Sequence, residues 1–123
     1  MRVFRLAAFV ALMLVVCAMP THAQQYQDPL GARCYNFDFG SNYGWDRYTN
    51  LCDEPIYIVL IFPRGGLFGI DLKPGKSNGT GHSKNEYASM GEPRVFVCPS
   101  GYRVVDMDDK NVSFNTGEYR CKR

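Results

Sequence analysis

Along residues 35–47 aromatic and polar positions take turns. Tyr35, Phe37 and Phe39 alternate with Asn36, Asp38 and Gly40, and after Gly40-Ser41-Asn42 the beat resumes with Tyr43, Trp45 and Arg47. A period of two is that of a half-buried strand, and the Gly-Ser-Asn cluster reads as a tight hairpin loop in which Asn42 can take the left-handed conformation. A three-residue loop sets Phe39 opposite Tyr43, Phe37 opposite Trp45 and Tyr35 opposite Arg47. That register gathers Tyr35, Phe37, Phe39, Tyr43 and Trp45 on one face and leaves Asn36, Asp38, Gly44, Asp46 and Tyr48 on the other. The ring-bearing face is expected to lie on the core, with Phe37, Phe39 and Trp45 buried and Tyr48 exposed. An outward aromatic platform is the competing arrangement.

Ile56 to Phe62 contains no polar side chain apart from the Tyr57 hydroxyl, and Pro55 and Pro63 bound it. It is too short for a helix and rich in β-branched and aromatic residues, so it predicts a central strand covered on both faces. Gly65-Gly66 turns the chain into a strand over 67–72, in which Gly69 suggests a bulge. The pattern then breaks. Residues 73–93 hold only Tyr87, Ala88 and Met90 as apolar anchors, which predicts a long polar loop with a short helical turn near Ser83 to Met90. Short strands follow over 94–98, 102–107, 112–115 and 118–122, punctuated by Cys98-Pro99-Ser100-Gly101 and Asp108-Asp109-Lys110-Asn111. The fold class is therefore all-β: a small disulfide-stapled sandwich or open barrel of about seven short antiparallel strands.

The first 23 residues read as an export signal rather than as fold. Arg2 and Arg5 precede an apolar stretch from Leu6 to Ala18, Pro20 ends it, and Thr21-His22-Ala23 has the small residues of a cleavage site. The apolar stretch is shorter than the roughly 20 residues a transmembrane helix needs. The expected organisation is a cleaved leader at 1–23, a flexible lead at 24–33 and one domain at 34–123, secreted or periplasmic. Cleavage also changes the charge. Of 14 Lys and Arg, two leave with the leader, and the remaining 12 balance 12 Asp and Glu. A neutral surface without a basic block argues against nucleic acid as a partner.

Cleavage removes Cys17 and leaves Cys34, Cys52, Cys98 and Cys121, an even set in an exported chain. Of the three pairings, Cys34–Cys52 with Cys98–Cys121 is favoured because each pair brackets a predicted hairpin. Loops of this size would each stabilise the fold by about 3 kcal/mol. No C-x-x-C spacing supports a zinc site, so no metal and no cofactor is expected.

Candidate chemistry is sparse. Gly75-Lys76-Ser77 lacks the earlier glycine of a phosphate loop, since position 70 is Ile. Asp106 to Asn111 has the oxygen density of a calcium loop but neither its glycine nor its distal glutamate. Asn78 and Asn111 open Asn-x-Ser/Thr sequons. His82, the one histidine after cleavage, has Glu86 as its nearest acid, and the two are weak catalytic candidates. No stretch resembles a family closely enough to carry a function over. The leading expectation is an exported, non-enzymatic binding module that meets an unknown protein or glycan surface through the 73–93 loop and exposed aromatics, with Tyr48, Trp45, Lys76, His82, Lys84 and Tyr87 as contact residues. Two alternatives stand beside it: a small secreted hydrolase or nuclease using His82 with an acid, and a structural or inhibitory protein acting through strand-edge pairing. Oligomeric state is not legible.

Overall fold

A computed structural model describes residues 25–40 and 44–123; the leader expected at 1–23 and the Ser41-Asn42-Tyr43 turn lie outside the described residues. Nine strands among these residues form three antiparallel sheets: β1 (Tyr26–Gln27), β2 (Tyr35–Phe39), β3 (Asp46–Asn50), β4 (Ile56–Phe62), β5 (Gly66–Leu72), β6 (Ser77–Asn78), β7 (Arg94–Pro99), β8 (Arg103–Asp106) and β9 (Tyr119–Lys122). A 3₁₀ turn at Gly31–Cys34 precedes β2, and one α-helix, α1 (Lys84–Met90), lies in the long polar segment. The all-β reading holds. No helix among the described residues is long and apolar enough to cross a membrane.

The run Ile56–Phe62 explains the layering. It forms the middle strand of the sheet β5-β4-β7, and both of its faces are covered. Ile56, Ile58, Leu60 and Phe62, with Ile70, Leu72 and Val97, pack against Cys34 and Tyr48, and Tyr87 and Met90 of α1 close over the same cluster. Val59, Ile61, Phe96 and Cys98 on the other face pack against Val104, Val112 and Cys121. The sheet β2-β3-β6 and α1 therefore cover one side, and β1-β9-β8 covers the other. Both favoured disulfides are present. Cys34–Cys52 clasps the ends of the β2–β3 hairpin, and Cys98–Cys121 bolts the central sheet to β9.

Several expectations change. The described part of the lead expected at 24–33, residues 25–33, is tied down rather than loose: Tyr26 and Gln27 pair with Lys122 and Cys121, and Leu30 donates its N–H to the Val97 carbonyl. Residues 112–115 form a turn closed by Thr116 N–H on the Ser113 carbonyl, not a strand. Gly69 sits in regular register opposite Val59. It is there because the Tyr57 ring lies where a Cβ would project. Asp109 accepts from the Tyr26 hydroxyl, Arg120 and Lys122, so the acidic turn binds β1 to β9.

The largest correction is the β2–β3 register. Phe37 faces Tyr48, Tyr35 faces Asn50, and Phe39 faces Asp46. The hairpin closes later than a three-residue loop would, with Gly40 N–H bonded to the Trp45 carbonyl. The partner of each β2 residue moves by three, an odd number, and an odd slip exchanges the faces of a strand. Tyr48 becomes a core residue, 1 % exposed, while Trp45 is 48 % and Phe37 36 % exposed. The slip also buries Asn50, whose amide donates to the carbonyls of Glu54 and Leu72 and accepts from Cys52 N–H.

Candidate functional site

The corrected register brings Asp46 onto the buried face of β3, 5 % exposed. A carboxylate there needs donors to offset its desolvation, and the segment that follows β6 supplies them. Gly79 lets that segment come close, since a Cβ would overlap the Asp46 carbonyl oxygen. The N–H groups of Thr80, Gly81 and His82 then converge on the carboxylate at 3.0, 3.1 and 3.2 Å, a backbone nest for an anion. The Thr80 hydroxyl donates to Oδ2 as well. Asp46 N–H returns a bond to the His82 carbonyl at 2.8 Å. Burial pushes the Asp46 carboxyl up, but the Thr80 hydroxyl, the Tyr87 hydroxyl and the backbone donors outweigh it and hold it below its ordinary value.

Tyr87 links this anchor to the aromatic cluster. Its hydroxyl donates to Asp46 Oδ2 at 2.7 Å and meets the Tyr48 hydroxyl at 2.9 Å. Since Tyr87 gives its proton to the carboxylate, Tyr48 is the donor to Tyr87. Burial, the Tyr48 bond and the Asp46 bond together raise the Tyr87 phenol, and burial first of all raises that of Tyr48. The Tyr87 ring stacks on Phe37 at 5.4 Å and meets Phe39 and Phe62 edge-on at 5.1 and 5.0 Å.

In front of these rings opens a cavity of about 380 Å³. Its walls are Tyr35, Phe37 and Phe39 of β2, Tyr48 of β3, Tyr87 and Ala88 of α1, and Pro93 and Val95, with Lys84 and Glu92 as the charged residues of the lining. The helix presents this face because Lys84, Tyr87 and Ala88 are three and four residues apart. Its start is fixed by a capping box: Ser83 Oγ accepts from Glu86 N–H, and the Glu86 carboxylate accepts from Ser83 N–H. Lys84 lies toward the hairpin tip, its N–H on the Gly44 carbonyl. Glu92 lies toward Tyr35, whose phenol is raised by burial first and also by Tyr119 and Glu92. A larger hollow of about 550 Å³, bounded by Tyr57, Leu67, Asp71, Tyr102, Arg103 and Asn111, lies on the other side of the central sheet and gathers fewer rings.

Of the residues expected to make contacts, the cavity unites Tyr48, Lys84 and Tyr87. Tyr48 contributes as a buried wall, not as an exposed platform. Trp45 bridges to Ser83 outside the lining, and Lys76 lies in the turn between β5 and β6, where its carbonyl accepts from Asn50 N–H. His82 packs edge-on to Phe68 at 4.9 Å and borders a hollow of about 340 Å³ with Asn85, Glu86 and Ser89. Its partner is not Glu86, which caps the helix, but Thr80, whose Oγ1 lies 2.6 Å from Nδ1. A hydroxyl that donates to Asp46 must accept from the ring, which places a proton on Nδ1. Among the described residues no three His, Cys, Asp or Glu converge to hold a metal ion. Sequence reasoning missed Asp46, Thr80 and Glu92. The signal for the first two lay in register and in Gly79, neither of which a periodicity displays. Comparison with protein-family models, curated proteins and solved structures found no match.

Proposed function

We propose that this is an exported binding module that holds an apolar group of its ligand in the aromatic cavity between β2, α1 and residues 92–95. One observation carries the reading. The Tyr48 and Tyr87 hydroxyls are committed to each other and to Asp46, so their rings offer the cavity apolar faces while a buried network fixes their positions. Ligand sites combine an apolar lining with few charged groups, and Lys84 and Glu92 supply these here. A volume of 380 Å³ suits one ring or a few apolar side chains. The exported location rests on the leader-like residues 1–23 and accords with the two disulfides. A glycan is the weaker ligand, because sugars need several hydroxyl partners and two of the three tyrosine hydroxyls of the lining, those of Tyr48 and Tyr87, are committed to each other and to Asp46. The hydrolase reading would rest on His82, but the hydroxyl at its ring is Thr80, which is turned onto Asp46.

Ligand-observed NMR with indole, p-cresol and methyl glucoside tests the reading. The two aromatic probes should give saturation transfer that is lost in Phe37→Ala and in the cavity-filling Ala88→Phe, and kept in Trp45→Ala. Equal signals in all variants, or a signal from the glucoside alone, would refute it.

A further inference from the structure

The wall of the cavity is also the free edge of a sheet. β2 is an outer strand in the order β2-β3-β6. Two bonds set the parity of its backbone: Leu51 N–H on the Cys34 carbonyl and Gly40 N–H on the Trp45 carbonyl. Residues 34, 36, 38 and 40 therefore turn their backbone groups to β3, because hydrogen-bonded pairs alternate along an antiparallel ladder. Residues 35, 37 and 39 turn theirs away from it. The Tyr35 N–H is taken by the Ala32 carbonyl. Among the described residues the Tyr35 carbonyl and both backbone groups of Phe37 and Phe39 have no hydrogen-bond partner. Those same residues supply the aromatic wall. One stretch thus displays free donors and acceptors about 6.6 Å apart together with the rings beneath them.

We propose, resting on the binding-module reading, that the ligand is an extended peptide segment of a partner protein that adds to the open edge of β2. Backbone pairing would supply affinity, and alternate side chains, those opposite Tyr35, Phe37 and Phe39, would enter the cavity and supply selectivity. An edge left without a lysine or proline of its own is a template for such pairing, and Tyr35 to Phe39 contains neither. Charge sets the occupant. Lys84 stands at the Phe39 end and Glu92 at the Tyr35 end, and neither makes an ion pair among the described residues. The complementary segment carries an acid at the first end and a base at the second. Antiparallel pairing, the slightly more stable ladder, then reads acid, three alternating apolar residues, base, from N- to C-terminus.

The probe is acetyl-Glu-Thr-Val-Thr-Leu-Thr-Val-Thr-Lys-amide, in which the acid, the three apolar residues and the base all share the face turned to the cavity; it is titrated into the mature protein by isothermal calorimetry and ¹⁵N NMR. It should bind, and exchanging its Glu and Lys should weaken it. N-methylation of the leucine amide, which faces β2, should cost about tenfold or more in Kd, the value of one hydrogen bond. N-methylation of either threonine amide flanking the leucine, which faces away, should change Kd less than about twofold. In the free protein the Phe37 and Phe39 amides should exchange fast while those of Asn36 and Asp38 are protected, and the peptide should protect the first pair. Equal effects of the two N-methylations would overturn strand addition. Binding of indole and p-cresol without the peptide would leave the cavity as a ligand site and remove the peptide class. Binding of neither would remove both. A dimer by sedimentation, with Phe37 and Phe39 protected in the absence of peptide, would make the occupant a second copy and overturn the proposal.

Discussion

Replacing Tyr87 with Phe deletes one oxygen and leaves every ring contact in place, so it isolates the buried polar network from the packing around it. Two bonds go. Asp46, 5 % exposed, loses the 2.7 Å donor at Oδ2, and Tyr48, 1 % exposed, loses the acceptor of its hydroxyl at 2.9 Å. A hydrogen bond to a charged group contributes about 1.5–3 kcal/mol, and a buried hydroxyl left without a partner costs about 1–3 kcal/mol. Asp46 keeps the Thr80, Gly81 and His82 donors, which softens the first loss. The expected destabilisation is about 3 kcal/mol, a large share of the stability of so small a domain. Urea unfolding should show a lower midpoint at unchanged slope, and the thermal midpoint should fall by about 10–20 °C. Tyr48→Phe should cost only about 0.5–1.5 kcal/mol, because the Tyr87 bond to Asp46 survives it. In the double variant no hydroxyl is orphaned, so its cost should fall short of the sum by about 1 kcal/mol. A Tyr87→Phe cost below about 0.5 kcal/mol, or strict additivity in the cycle, would refute the network as drawn.

Trp45→Ala should destabilise by no more than about 1 kcal/mol, and the wild-type emission should be solvent-exposed and readily quenched by iodide, since the ring is 48 % exposed; a blue-shifted, protected Trp would contradict the register. Asn50→Ala should cost about 2–4 kcal/mol in urea unfolding, because it orphans the Leu72 and Glu54 carbonyls and the Cys52 N–H. The pH profile has two limbs. Asp46 is depressed in the folded state, as is Asp109, held down to about 2 by the Tyr26 hydroxyl first and then Arg120 and Lys122; their stabilisation is present above about pH 4 and should be lost as pH falls through the depressed values. Tyr48 and Tyr87 are raised, so their contribution is complete below about pH 10 and should drain away as pH climbs beyond it. Tyr87→Phe should flatten the alkaline limb, and an unchanged limb would count against the assignment.

Much of the scaffold was legible along the chain, because local pattern and composition specify it. Ile56 to Phe62 could only be a strand buried on both faces, since it has no polar side for water, and the structure places it mid-sheet. Four cysteines bracketing turns predicted the two disulfides that form. The apolar anchors Tyr87, Ala88 and Met90 suggested a helical turn near Ser83 to Met90, and α1 forms there, with a capping box that the structure revealed at its start.

The site was not legible, because it depends on a register and on contacts that cross the fold. Alternation reports that Tyr35, Phe37 and Phe39 share a face, but it is silent on how many residues the hairpin loop spends before β3 begins. That number has odd or even parity, and parity alone decides whether Tyr48, Asp46 and Asn50 point to water or to the core. The loop closed at Gly40 and Trp45, and with it an exposed tyrosine became the floor of a cavity. Asp46 and Thr80 lie 34 residues apart, and nothing in the composition of either neighbourhood announces the other. Only the folded backbone, threaded past Gly79, brings an anion and its nest of N–H groups together. It likewise leaves the β2 edge bare beside the rings that line it.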